Sequence, residues 1–559
     1  MNRQKYTTLL DRISGAICIL SGATLSVELI LHVSESFRDI LWQFNQAFIA
    51  YFALDILIRI FILRQPKHVL THPLDMAILI PVFALWQPSH SVWGSIFVTQ
   101  LPLLLITIGR MMHLYSLFQF LRFKPVHSLI AGFGILIFVG SLLLSLPLST
   151  TTAIPYLDLL FTAASAVCVT GLNTVDFAHV FTRFGHGIVL ALIQIGGIGF
   201  MTFTTLMAIL MNQRMSHRET SAMQEAFMAF NRKELIQMII AVFRYTLIIE
   251  GIGALALFAV WHTHFPTWQD AAFASIFHAI SAFCNAGFAL FSDSMMPFQN
   301  APGVLSLISI LIFLGGIGFP VLFNLMQYIS RDAKRTRFRL QTKIAVGMSL
   351  ILIVLGTSVT FLSEQHRSLA HMSFPDKVVN SLFLSVSPRT AGFNAIDIST
   401  MHMASLFFMM LLMFIGASPG STGGGIKTTT FGILLASFLS TLRMQNKVEI
   451  GQRQIPLPTL MRATAIVIMG AITIMVFCFS LLYTEPNAPF QMVLFETISA
   501  FSTVGLSLGL TPLLSVAGKG MIIVLMLIGR VGPFAAAIAL ASTKPRVRYQ
   551  YPEEDILVA

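Results

Sequence analysis

Four short stretches of this chain end in a glycine set among small and β-branched residues: SAVCVTG (Ser165–Gly171), SAFCNAG (Ser281–Gly287), VSPRTAG (Val386–Gly392) and SAFSTVG (Ser499–Gly505). The glycines are spaced by 116, 105 and 113 residues, and an aromatic precedes each copy (Phe161, Phe277, Phe383, Phe495). Between 24 and 28 residues after each glycine a small-residue cluster opens, at Gly196, Gly315, Gly416 and Gly529. Repetition at a long, near-constant period outranks any local pattern, and four similar units suggest four quadrants around an axis. The chemistry available is coordination by backbone oxygen. A short helix that drops into an extended, glycine-bearing segment presents carbonyls to a dehydrated cation. Non-helical backbone survives at membrane depth only where it is packed in protein or lines a watery cavity. The candidate ion ligands are Val169, Thr170 and Gly171; Asn285, Ala286 and Gly287; Thr390, Ala391 and Gly392; and Thr503, Val504 and Gly505.

Composition fixes the setting. The chain has 559 residues, 55% hydrophobic and 11% charged, with a mean hydropathy of +0.79 and a net charge of +11. These values exclude a soluble enzyme and indicate an all-α polytopic membrane protein. Cys18, Cys168, Cys284 and Cys478 all lie in apolar or pore stretches, which argues against a disulfide framework or a zinc site. No removable signal peptide is expected, because Met1–Arg12 is polar and the first apolar run is long enough to span.

The elements that must position the four stretches are helices. The spacing predicts four helix–pore loop–helix repeats, over 126–234, 235–342, 343–459 and 460–559, forming a pseudo-tetrameric pore. The first helices are expected at Ser128–Leu146, Leu235–Trp261, Lys343–Leu362 and Leu460–Tyr483. The second helices are expected at Phe181–Met211, Gly303–Ile329, Met403–Leu442 and Val516–Ala541. Residues 1–125 hold four further apolar runs, Ile13–Val33, Trp42–Leu63, Leu74–Trp86 and Ser95–Phe120. The basic residues of 214–233, 331–343, 443–462 and the tail fall on one side of this scheme, with Arg122, Lys124, Arg3 and Lys5. The positive-inside rule makes that side cytoplasmic, with both termini there.

SAVCVTGLN, SAFCNAGF, SPRTAGFN and SAFSTVGLS resemble the pore loops of the Trk/Ktr/HKT potassium transport superfamily. Gly416–Thr430, GASPGSTGGGIKTTT, resembles the gate loop of its KtrB members, and the similarity covers about 128–542. The resemblance implies potassium uptake across a prokaryotic inner membrane, with K⁺ as substrate, the filter as the only metal site and no covalent cofactor. It further implies a homodimer in membrane lipid with a cytosolic RCK/KTN-type regulatory subunit that binds ATP/ADP or NAD(H), no nucleic acid, and Na⁺ as a candidate coupling ion. A serine at the first filter glycine accompanies Na⁺ transport in plant relatives, so Gly171 favours K⁺.

The residues of the gate loop support part of this on their own. Gly416, Pro419, Gly420, Ser421, Thr422, Gly423, Gly424 and Gly425 cannot hold a continuous helix, since glycine costs roughly 1 kcal/mol and interior proline about 3. A broken helix below a carbonyl filter is a movable obstruction. Lys427 and Arg530 are cations in apolar sequence and should face the pore cavity or backbone carbonyls. The resemblance gives Arg530 the role of contacting the gate loop and repelling cations. Arg389, inside the third stretch, reads as a strut to backbone, and Glu250 and Glu496 as candidate countercharges.

Near the pore the sequence has no paired carboxylates, nucleophile–base set or metal-ligand spacing, so an enzyme is not expected. A voltage-modulated cation channel is the alternative. Residues 1–125 resemble a degenerate voltage-sensor domain, with Asp55 and Asp75 as its acidic residues and a polar row Arg110, His113, Ser116, Gln119, Arg122. Only the ends of that row keep arginine. A structural or docking role is therefore expected, with Arg110 paired to Asp55 or Asp75.

Overall fold

The computed structural model describes residues 35–58, 125–199, 232–329, 338–445 and 447–532, with scattered positions at 10–24 and 202–205. Among them, α1 (Glu35–Leu57) overlaps the second N-terminal run. The third and fourth N-terminal runs, most of the first, the row 110–122 and Asp75 lie outside the described residues, and so does the tail after Gly532. Asp55 on α1 is buried.

The repeats are helical as the spacing predicts. The first is α2 (Pro125–Leu144), α3 (Tyr156–Cys168) and α4 (Arg183–Ile198). The second is α5 (Arg232–Trp261), α6 (Trp268–Phe283), α7 (Pro302–Gly316) and α8 (Phe319–Ile329). The third is α9 (Leu340–Glu364), α10 (Phe374–Val386), α11 (Met403–Phe414) and α12 (Thr428–Leu442). A short hairpin, β1 (Glu449–Ile450) with β2 (Arg453–Gln454), leads to α13 (Leu457–Thr484), α14 (Phe490–Phe501) and α15 (Val516–Val531). Among the described residues, α5, α9 and α13 are long and apolar enough to cross a membrane. They leave Leu247, Leu255, Val354, Leu355, Met475 and Phe479 exposed. Such faces suit lipid, whose tails are as apolar as leucine.

The short helices α3, α6, α10 and α14 have 13, 16, 13 and 12 residues. At 1.5 Å per residue each reaches only ~18–24 Å, part way through a bilayer core of ~30 Å. Their starts are written in the sequence. Thr267 and Ser373 accept the amides of Asp270 and Asp376, and Pro155 and Pro489 stand at the N-caps of α3 and α14. All four end at a residue with left-handed φ soon after the helix: Val169 (58°), Asn285 (59°), Thr390 (77°) and Thr503 (51°).

The second helices of the first two repeats are interrupted, which corrects the expectation of one continuous helix in each. A single helix over Gly303–Ile329 is replaced by α7 and α8, bent by 100° at Ile317–Gly318. Gly318, at φ +98°, and Pro320 two residues on permit the bend. α4 is interrupted at Gly199 (φ +92°), after which Thr202, Phe203 and Thr205 are again helical, and α15 is described as far as Gly532 (φ +96°); the rest of Phe181–Met211 and of Val516–Ala541 lies outside the described residues. Only the third break, between α11 and α12, is the predicted one.

Packing closes the repeats into a ring. α4 packs on α6, α7 on α10, α11 on α14, and α15 on α3. Each repeat thus places its second helix against the short helix of the next, and the fourth returns to the first. The largest buried cluster accordingly joins Phe161, Val167 and Leu192 of the first repeat to Phe501, Leu525 and Met526 of the fourth.

Candidate functional site

At the centre of the ring the four repeated glycines touch one another in order. A methyl on Gly171 would sit 2.5 Å from the carbonyl oxygen of Ala286, and one on Gly287 2.9 Å from that of Ala391. The next two contacts run from Gly392 to the Val504 oxygen (2.2 Å) and from Gly505 to the Thr170 oxygen (2.1 Å). No side chain fits at these positions without moving backbone, and φ is between +71° and +96° at all four. The sequence therefore brings together all twelve predicted ligand positions. Left-handed φ recurs at the first and third residue of every triplet.

The carbonyls of Thr170, Ala286, Ala391 and Val504 receive no hydrogen bond from any described residue. Buried carbonyls are almost always paired, so four without donors, each set against the glycine of another repeat, suit a cation. The short helices add to this, because all run toward the filter and end three to six residues before its glycine. Their C-terminal partial negative charge favours cations beneath it.

Serine, quoted in every motif but given no role there, sets the turn. Thr170, Ala286, Ala391 and Val504 donate their amides to the carbonyls of Ser165, Ser281, Ser387 and Ser499 at 2.8–2.9 Å. The serine hydroxyls tie the filter segment down. Ser165 and Ser499 accept from Gly171 and Gly505 N–H, while Ser281 and Ser387 donate to the carbonyls of Phe288 and Phe393.

One face of the ring opens into a vestibule of about 440 Å³ lined by all four glycines together with Asp176, Asp397 and Thr511. Burial alone would raise the Asp176 carboxyl. Hydrogen bonds from Ser292 Oγ (2.7 Å), His179 Nδ1 (3.0 Å) and the Ala178 amide outweigh it and hold its pKa below the usual value. Asp176 is therefore ionised at neutral pH and gives this mouth a negative charge.

The other face meets the loop between α11 and α12. Ile415 and Ile426 bridge its ends, and a methyl on Gly416 would sit 2.4 Å from the Gly424 oxygen. Methyls on Gly423 and Gly424 would strike the hydroxyl oxygens of filter residues Thr390 (2.0 Å) and Thr503 (2.3 Å). Repeat two grips the loop from the side. Ser418 and Thr422 donate their amides to Gly316 and Gly315 oxygens (2.9 and 3.4 Å), and Phe319 N–H donates to the Gly420 oxygen (2.8 Å). This last bond explains the bend between α7 and α8, since it uses an amide that a continuous helix would spend internally. Pro419 closes over Gly318, Ser421 N–H bonds the Ser418 carbonyl at 3.3 Å, and Gly425 has φ +67°.

Both predicted cations find backbone oxygen. Arg530 donates to the carbonyls of Thr422 and Gly196, and to that of Gly197 at 3.4 Å. Lys427 Nζ donates to Gly423 O (2.7 Å) and Gly424 O (3.4 Å). Three successive loop carbonyls, 422 to 424, are thus held by protein cations. Arg389 is a strut, bonding the carbonyl and hydroxyl of Ser349 at 3.3 and 3.0 Å. Glu250 and Glu496 are not countercharges. Glu250 accepts from Gln194 and Cys284, and Glu496 from Ser507 and Thr511, all neutral donors. The small-residue clusters also acquire a reason. Methyls on Gly196, Gly315 and Gly529 would lie 2.1, 1.8 and 1.9 Å from the carbonyl oxygens of Val167, Phe283 and Phe501, four residues before each filter glycine.

A four-fold helical ring with a carbonyl-lined centre, an acidic mouth and a plugged underside defines a multi-pass membrane protein of cation transport. The chain belongs to the TrkH cation transport protein family, whose model matches residues 124–550. Within it the chain is a Trk/Ktr transporter of the KtrB-like kind. It is 40% identical over 440 residues to the Ktr system potassium uptake protein B of Bacillus subtilis, covering 78% of this chain and 97% of that one. It is 36% identical over 445 residues to the potassium/sodium uptake protein NtpJ of Enterococcus hirae, covering 78% and 98%. The fold is that of the crystal structure of the potassium transporter TrkH from Vibrio parahaemolyticus. The TM-score is 0.64 at 18% identity, over 84% of this chain and 98% of that one. Residues 1–123 lie outside the family match.

Proposed function

We propose that this protein takes up potassium across a prokaryotic inner membrane, through a selectivity filter formed by residues 169–171, 285–287, 390–392 and 503–505. The observation that carries the reading is the closed ring of four glycines with donor-free carbonyls between them. Backbone carbonyls replace the hydration shell of a monovalent cation, and the ion passes down the membrane potential. The potassium in the relatives' names supports the same cargo, and the sodium in one of them keeps Na⁺ as a candidate coupling ion.

The loop 416–430 is proposed as the gate, with Lys427 and Arg530 as its holding cations. The basic residues around the β1–β2 hairpin, Arg443, Lys447 and Arg453, are assigned to the cytoplasmic side together with both termini. The "Ktr system" in the relatives' names supports a separate component, which we take to be a cytosolic RCK-type subunit carrying ATP/ADP or NAD(H), acting on a homodimer.

The test is uptake of radioactive rubidium by liposomes containing the purified protein, with Na⁺ as competitor. Rubidium entry that exceeds empty liposomes and resists a large Na⁺ excess is expected. Folded protein that admits no rubidium, or admits Na⁺ equally, overturns the reading.

A further inference from the structure

Nine residues before the filter glycine, the short helices of repeats two and four carry a buried titratable side chain: His278 on α6 and Glu496 on α14. Both face the strand that leaves the filter. Glu496 is fully buried, with Oε2 accepting from Ser507 Oγ at 2.8 Å and Oε1 accepting from Thr511 Oγ1. Ser507 Oγ accepts in turn from Gly509 N–H at 3.0 Å. Gly505, Ser507, Gly509 and Thr511 all line the vestibule. His278 is likewise fully buried; its Nδ1 donates to Ala274 O at 2.7 Å, leaving Nε2 to accept from Leu290 N–H at 3.2 Å. Phe291 stacks on its ring at 5.0 Å.

The other two repeats lack the device. Thr162, at the same register of α3, bonds its own helix at Asp158 O (2.8 Å), and α10 has only Phe383 and Leu384 at this level. In the ring order one to four, repeats two and four stand opposite each other. Two diagonal walls of the filter mouth are therefore tied to buried acceptors.

We propose that Glu496 and His278 are positioning residues for ion selectivity, which fix the outer filter strands so that the carbonyls cannot close around a smaller cation. Discrimination between K⁺ and Na⁺ depends on how many carbonyls coordinate and how stiffly they are held. A buried acceptor engaging two hydroxyls holds them strongly, because release would leave polar groups unpaired. The inference rests on the filter reading above and adds the residues that keep that filter in shape.

The experiment compares Glu496→Leu, Glu496→Gln and the double variant Ser507→Ala/Thr511→Val in liposomes, reading Na⁺ inhibition of rubidium uptake per folded protein. Glu496→Leu and the double variant are each expected to lose about tenfold in rubidium over Na⁺ discrimination, the scale of one buried bond left unmade. Glu496→Gln, which keeps an acceptor oxygen, should retain most of it. Combining Glu496→Leu with the double variant should add no further loss. If Glu496→Leu does not fold, the Ser507→Ala/Thr511→Val variant carries the test. Unchanged discrimination in that variant, or a loss in Glu496→Gln as large as in Glu496→Leu, overturns the proposal. Gly392→Ser serves as reference. Discrimination lost there but kept in the Glu496 and Ser507/Thr511 variants overturns this inference alone, and discrimination kept in all overturns the filter itself.

Discussion

Lys519 Nζ lies 2.5 Å from Asp158 Oδ1, joining the second helix of the last repeat to the short helix of the first. The side chains are 16% and 8% exposed, so the pair is nearly removed from water. It is the charged element of the seam where α15 meets α3 and the ring closes. Removing one partner leaves the other charge buried and uncompensated. Lys519→Met and Asp158→Asn are each expected to cost about 3 kcal/mol, read as lower thermal stability in detergent. The double variant Asp158→Leu/Lys519→Met should recover most of the loss. A double variant as unstable as the worse single one would show that the pair does not close the seam.

The filter glycines allow a graded series. A side chain on Gly287 has the most room, and one on Gly392 or Gly505 meets a neighbouring carbonyl oxygen at 2.2 or 2.1 Å. Serine at 392 or 505 should therefore lower potassium over sodium discrimination on the order of tenfold, with serine at 287 milder, since the intruding Cβ displaces a coordinating carbonyl. Unchanged ion competition in both Gly171→Ser and Gly392→Ser would remove the assignment of these stretches.

The loop beneath the filter hangs on identifiable bonds. Arg530→Ala strips donors from the Thr422 and Gly196 carbonyls, and deleting part of Ser418–Gly425 removes the segment facing Thr390 and Thr503. Either change should raise rubidium flux several-fold and weaken dependence on the regulatory subunit. Flux at the wild-type level in a protein shown to be folded would mean that the loop only packs.

Glycine at 529 or 315 should be irreplaceable, and glycine at 520 or 187 should not. A methyl at Gly529 would sit 1.9 Å from Phe501 O and one at Gly315 1.8 Å from Phe283 O, whereas Gly520 and Gly187 face open space. Gly529→Ala should sharply reduce the yield of folded protein on size-exclusion chromatography. Gly520→Ala should leave it unchanged or raise it slightly, as expected from better helix propensity. Equal yields would contradict the packing described here.

The repeats were legible because a glycine that no side chain can replace recurs three to six residues after a short helix. The break after α11 was legible because one proline and five glycines crowd Gly416–Gly425. The bend after Gly316 was not, because GGIGFP reads equally as small packing residues. What decides it is the Gly420 carbonyl, which belongs to another repeat. The Lys519–Asp158 pair was invisible for a similar reason: 361 residues separate two single charges in apolar helices. Glu250 and Glu496 stood only as candidate countercharges, since sequence shows a carboxylate but not the hydroxyl, amide and thiol that fold onto it. Arg389 was read as a strut to backbone, and it bonds the Ser349 carbonyl and hydroxyl.

The ring order has a consequence for how the protein is made. Gly505 rests on Thr170 and Gly171, and Arg530 reaches the carbonyl of Gly196, 334 positions earlier in the chain. Translation delivers the repeats one at a time, and such distant partners are slow to meet. Three finished repeats still leave Gly392 without its neighbour and Gly171 without its capping strand. The ring of glycines is therefore complete only when the fourth repeat docks on the first. If that ring is the ion path proposed above, a chain stalled midway should carry no complete conduit and leave the cell's ion gradients intact.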